Sequence, residues 1–262
     1  MHYAKILVAA IASVALAGCA GRHVSQMSTR YEKTSLPVHF DRNEVEDEKF
    51  FSVSVSETRR QKVDFSDTTY MPTHYSFENA GSTVDGNLLW EVEGHHFGLG
   101  FGISPADARN FHIGGFWGYS LKRNDLLLSW TGGIFLNNNV NHAFYEDWSF
   151  LDWDGGDEGE FHGTSLLLEL PLRINAGFDV PGPVDPYASY SFNLLRIGIE
   201  KAGESVGIHE GAAGLLVELP LHLRLRLEAS AMRAWMLDQK ASQGNRVTHT
   251  LPGARVELSK EF

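Results

Sequence analysis

The amino-acid sequence predicts an all-β chain, an up-and-down antiparallel β-barrel of about ten strands (alternatively eight) of the transmembrane type. Three observations predict it. From residue 50 onward the dominant sequence period is two. Turn signals between the alternating runs give connections that alternate between a short set and a longer one. No stretch beyond the first twenty or so residues holds a helical period for long.

The elements follow in chain order. The sequence opens Met1-His2-Tyr3-Ala4-Lys5, continues as an apolar run from Ile6 to Ala17, and reaches Gly18-Cys19-Ala20. A basic start, a short apolar core and small residues at a cleavage point make residues 1–18 a secretory signal. The run is about a dozen residues, short of the roughly 20 that a membrane-spanning helix needs. Leu16-Ala17-Gly18-Cys19 resembles the lipobox of bacterial lipoproteins. The resemblance implies a diacylglycerol on the Cys19 sulfur, cleavage before Cys19, acylation of the new amino group and, with Ala20 in second place, sorting to the outer membrane. Cys19 is the single cysteine, so no disulfide forms within the chain. Residues 19–49 are polar, carry the charge run 41–49 and read as a lipidated, solvated tether.

Residues 50–262 form the expected barrel domain, with strands near 50–59, 84–93, 96–104, 111–121, 126–137, 163–177, 186–200, 207–219, 223–236 and 250–262. The clearest alternation is Leu215, Val217, Leu219, Leu221, Leu223, Leu225 and Leu227 against Leu216, Glu218, Pro220, His222, Arg224, Arg226 and Glu228. Pro220 splits that run, because proline cannot donate to a central ladder. The connections 94–95, 122–125, 178–185 and 220–222 are short; 60–83, 105–110, 138–162, 201–206 and 237–249 are longer on average. Outer-membrane barrels have short periplasmic turns and longer external loops. Both barrel ends fall on the short side, which suits a tether held at the periplasmic leaflet.

Alternation alone does not say which face meets lipid. Aromatic residues near strand ends (Trp117, Tyr119, Trp130, Tyr187, Trp235) suit interfacial girdles. The polar face carries both signs: Glu91, Glu169, Arg173, Arg196, Glu218, Arg224, Arg226, Glu228, Arg255 and Glu257 are expected to form a lumen charge network whose members pair. Gly98, Gly100, Gly102, Gly114 and Gly118 on that face leave room for a neighbour's bulk or for water. The last strand, Ala254 to Phe262, resembles the carboxy-terminal assembly signal of outer-membrane barrels, except at Lys260, where an apolar residue is usual. That implies the barrel-assembly machinery as a partner through Phe262, with outer-membrane lipid around the wall.

An exported chain of net charge −11 with no basic stripe does not suit nucleic acid. The carboxylates Asp152, Asp154, Asp157 and Glu158 fail the spacing of a calcium loop, since Gly156 and Gly163 stand where ligands belong. His95 and His96 point to opposite faces of a strand, so no metal is expected, nor any other cofactor. Outer-membrane barrels include proteases, which have ten strands, and lipid A deacylases. Asp107, His142, Asp238 and His249 lie near proposed loops, yet no motif matches residue by residue and no Gly-x-Ser-x-Gly elbow occurs. The sequence therefore reads as a non-enzymatic outer-membrane lipoprotein with a structural or surface-binding role. The alternatives are a lipid-tethered, lipocalin-like ligand-binding barrel, a narrow channel and a rim-active hydrolase.

Overall fold

The computed structural model describes residues 20–31, 34–40, 48–58, 62–66, 74–79, 81–149, 158–199, 202–236 and 251–262. The strands are β1 (Ala20–Tyr31), β2 (Glu48–Thr58), β3 (Lys62–Ser66), β4 (His74–Asn79), β5 (Ser82–Val92), β6 (His95–Ser104), β7 (Asp107–Arg123), β8 (Leu126–Ser149), β9 (Glu158–Phe178), β10 (Val184–Ile199), β11 (Ala202–Leu219), β12 (Leu223–Met236) and β13 (Leu251–Glu261). There is no helix among the described residues.

Ten of these strands close a barrel. Sequential antiparallel pairing runs from β5 to β13, and β2 lies between β13 and β5. The seam is therefore between the first and last barrel strands, from Gly253↔Thr58 to Glu261↔Phe50. The strand count and most strand boundaries agree with the sequence periodicity. Two expected loops are largely ladder instead. Residues 138–146 pair with 158–166, from Asn138↔Leu166 to Glu146↔Glu158, and residues 202–206 belong to β11. The Asn137-Asn138-Asn139 run and its neighbours lack apolar alternation, so period-two reading stops where lipid contact stops, although backbone pairing does not.

Outside the barrel order, β1 pairs antiparallel with the far part of β8, from Arg30↔Val140 to Ala20↔Ser149. It takes the edge that β7 leaves free beyond Phe111↔Asn138. Strand β4 pairs parallel with β1, and β3 antiparallel with β4. These three strands were not expected from the sequence, whose polar stretches 20–49 and 60–83 show no strong period.

The rim with the short turns is tied by backbone bonds. Ser120 N donates to Gly94 O (2.8 Å), Asp179 N to Asp125 O (2.8 Å), Glu218 N to Pro183 O (2.7 Å), Glu261 N to His222 O (3.0 Å) and Phe262 N to Lys49 O (2.9 Å). The turns are tight enough to require left-handed backbone at Glu93 (φ 51°) and Gly94 (φ 78°), and at Leu221 (φ 67°) and His222 (φ 57°).

The wall puts its apolar side outward. Leu215 (42% exposed) and Leu227 (40%) face away from the lumen, as do Leu99, Ile113, Ile134, Leu166 and Val256. Arg173, Arg226, Glu169 and Asp85 are buried within. A soluble barrel is arranged the other way round. The chain therefore presents the lipid-facing wall of a membrane barrel, and the lipocalin-like alternative is overturned. Trp117 and Trp130 share the outward face. Tyr187 does not: it is buried in the lumen, so it belongs to no girdle, and the side chain of Trp235 lies outside the described ones. Leu99→Arg, near the middle of β6, is expected to cost about 2–4 kcal/mol of folding stability in lipid. Urea unfolding from vesicles measures it. A cost below about 0.5 kcal/mol, usual for a water-facing site, contradicts lipid contact at this wall.

One segment departs from the expected tether. Residues 34–40 are extended, unpaired in any sheet and buried throughout. They descend inside the barrel. Thr34 meets Glu169, whose neighbour across the ladder is Phe135 in mid-wall. His39 meets Glu91, next to the β5–β6 turn. Phe40 meets Tyr187 and, by Gly177, the end of β9. Strand β2 then starts at the short-turn rim, where Glu48 pairs with Glu91. The stretch read as a solvated tether is thus in part lumen filling. The expectation that the N-terminal segment stays on the short-turn side is corrected: β1 lies at the opposite rim.

Candidate functional site

The lumen is the site the fold assembles, and three buried polar centres organise it. The first is Glu169 on β9. Its carboxylate accepts from Thr34 N (3.2 Å to each oxygen), from the Thr34 hydroxyl, from Asn137 Nδ2 (2.5 Å) and from Asn193 Nδ2. Asn193 Nδ2 also donates to Thr34 O (3.1 Å). The second lies near the short-turn rim. His39 Nε2 pairs with Glu91, Ser120 Oγ donates to His39 O (3.2 Å), and His96 Nε2 bonds Thr131 Oγ1 (2.8 Å). Asp85 and His112 pair at 3.2 Å on the same wall.

The third centre is Glu228 on β12. It pairs with Arg173 and with Arg255 (3.6 Å), and accepts from the Tyr187 hydroxyl (2.7 Å). Arg173 is held in turn by Asn175 (2.9 Å) and Ser189 (2.7 Å), and Arg226 pairs with Glu257 (3.1 Å). Buried charge is tolerated when it is paired and hydrogen-bonded, and these strands deliver both signs at matched register: Arg226↔Glu257 and Glu228↔Arg255 are direct ladder partners.

Apolar packing completes the filling. Leu36 clusters with Phe50, Leu89, Phe116 and Phe135; Val38 and Phe40 cluster with Leu127 and Tyr187. The lumen glycines make this possible. A Cβ on Gly114 would stand 2.6 Å from Phe135 Cγ, and one on Gly133 2.7 Å from its Cε2. The space glycine leaves is thus taken by a neighbour's ring. The cavity beside Val38, His39, Arg224, Arg226 and Glu257 measures about 40 Å³. A water needs about 10–15 Å³, so this is room for a few waters.

The ten residues expected in a lumen charge network divide. Arg173, Arg226, Glu228, Arg255 and Glu257 meet as one cluster. Arg224 sits toward the rim, 3.8 Å from Glu261 and over the Phe50 ring. Glu218 is exposed at the same rim, because its strand ends there. Glu91 and Glu169 are buried and take their hydrogen bonds from residues 34–40 and from asparagines, with Arg224 adding a charge interaction to Glu91. The Arg196 side chain and Cys19 lie outside what is described. Sequence reasoning missed Thr34 and His39. Their signal was the short alternation of Leu36, Val38 and Phe40 with Ser35, Pro37 and His39.

At the opposite rim His142 pairs with Glu160, and Asp107 with Arg109 (2.9 Å). His95 packs on Tyr119 while His96 is buried, so the two point apart. Asp238, His249, Asp152, Asp154 and Asp157 fall outside the described residues, as does the Glu158 side chain.

No protein-family model matches the sequence, and neither does any curated protein. Solved structures similar to the chain are outer-membrane barrels. The outer membrane protease OmpT from Escherichia coli is 8% identical, with 82% of this chain and 97% of that one covered at a TM-score of 0.44. The NanC porin is 8% identical over 80% and 98%, with a TM-score of 0.39. The beta domain of the Bordetella autotransporter BrkA is 9% identical over 82% and 98%, with a TM-score of 0.38. These likenesses concern architecture and transfer no activity. They do correct one expectation: a protease stands among the barrels resembled, so the reading of this chain as non-enzymatic is withdrawn.

Proposed function

We propose that this chain is a sealed outer-membrane barrel that serves as a platform. It holds β1, β3, β4 and the upper β8–β9 strands beyond the long-loop rim for a structural or surface-binding role. A lipid on Cys19 adds a second hold on the membrane, and the final strand ending in Phe262 is its handle for the barrel-assembly machinery. The observation that carries this reading is the filled lumen inside a lipid-facing wall: residues 34–40 and the Glu228 cluster occupy the space a channel would need. Phe262 is exposed at the short-turn rim, as a recognition residue must be. Current across a planar bilayer containing the folded protein tests the seal. A flat baseline is expected; discrete steps from the intact protein would replace the platform reading with a channel.

A further inference from the structure

We infer that the barrel closes around its own N-terminal segment, so that β1 back to residue 20 stands at the outer surface of the membrane. The inference rests on the reading that the short-turn rim faces the periplasm.

The first observation is placement. Strand β1 and the start of β2 lie at opposite rims, and residues 34–40 join them through the lumen. The β1 register sets the direction. Arg30 pairs with Val140 and Ala20 with Ser149, so the chain moves further from the barrel as it is followed back to residue 20. The second observation is grip. The segment meets three parts of the wall: Glu169 and Asn193 take both backbone polar groups of Thr34, Ser120 takes His39 O, and Glu91 takes the His39 ring. Leu36, Val38 and Phe40 are packed into the two apolar clusters. A segment held at this many points is a built part of the barrel.

The third observation is access. With residues 34–40 in place the pocket beside them holds only about 40 Å³, and Leu36, Val38 and Phe40 are wedged among wall side chains, so drawing the segment lengthwise through a finished lumen would force side chains past close-packed rings. The seam is the pairing of β13 with β2, the last contact available in chain order. The segment must therefore be in place before β13 meets β2. A lipid carried on the residue before Ala20 would then enter the outer leaflet, not the periplasmic one. Strand β1 is displayed by the barrel that follows it.

Thiol labelling on cells tests this. The parent chain, whose single cysteine is Cys19, sets the background. Arg22→Cys and Ser28→Cys report on β1, Arg109→Cys on the long-loop rim and Asp125→Cys on the short-turn rim. A membrane-impermeant maleimide–polyethylene glycol is applied to intact and to permeabilised cells, using variants that keep the heat-dependent gel shift of a folded barrel. Arg22→Cys and Ser28→Cys are expected to label in intact cells to the extent of Arg109→Cys, with Asp125→Cys labelled only after permeabilisation. Labelling of both β1 positions only after permeabilisation, with Arg109→Cys still reached from outside, overturns the threading and leaves the orientation standing. Asp125→Cys labelled in intact cells and Arg109→Cys only after permeabilisation overturns the orientation itself.

Discussion

Deleting residues 34–40 is expected to turn the closed barrel into a conducting one. The segment fills the lumen between mid-wall and the short-turn rim, and no barrel strand depends on it for backbone pairing. Without it, Glu169 keeps Asn137 and Asn193 among the described residues, Glu91 loses the His39 ring, and the cluster of Phe50, Leu89, Phe116 and Phe135 faces water. The wall is stabilised independently by its ladders, so the deleted protein still inserts. It is less stable, because each buried polar group left unsatisfied costs about 1–3 kcal/mol. Planar-bilayer recording should show steps that the intact protein lacks, biased toward cations by the uncovered carboxylates. A deleted variant that folds, inserts and stays silent would show that the charge cluster alone seals the lumen. Leu36→Ala is the milder version. Losing one packed leucine is expected to cost about 2–5 kcal/mol and to give intermittent rather than steady current.

Glu228→Ala is expected to be the most damaging single change in the barrel, at about 3–5 kcal/mol. It removes one carboxylate and strands three donors, Arg173, Arg255 and the Tyr187 hydroxyl, all buried. Breaking a buried ion cluster from one side costs more than the cluster contributes as a whole, because the remaining cations have no water to return to. Joint replacement of Arg173 by methionine and Glu228 by leucine should therefore recover part of the loss. Urea unfolding followed by tryptophan fluorescence gives both numbers. A single-variant cost under about 1 kcal/mol would mean that Glu257 or solvent takes over those arginines.

The wall was legible in the sequence because lipid and lumen impose opposite demands on alternate residues. Leu215, Leu219 and Leu227 declare one face, and Arg226 and Glu228 the other. The charge cluster was legible for the same reason, since ladder partners such as Arg226 and Glu257 carry opposite signs. The threaded segment was not. Its three apolar residues are fewer than any barrel strand supplies, and they sit in a polar stretch whose composition argues for solvent. Tyr187 was misplaced because an aromatic near a strand end fits a girdle equally well. Its parity with Ser189 and Ser191 puts it inside. The upper ladder of β8 and β9 escaped because from Asn137 onward the sequence loses the apolar alternation by which strands were read. Arg196 was read from charge alone, and no described contact bears on it.

The course of residues 34–40 also fixes how the molecule carries mechanical load. Tension between β1 and Phe262 does not peel strands from the wall in sequence. Beyond the β1–β8 ladder it runs down the axis of the barrel, against the hydrogen bonds at Thr34 and His39 and the wedged rings around Phe40. The barrel is then a bead strung on its own chain. A pull on β1 tightens the bead rather than unzipping its wall from the seam, and the belt of bonds along the short-turn rim is the knot that stops the thread.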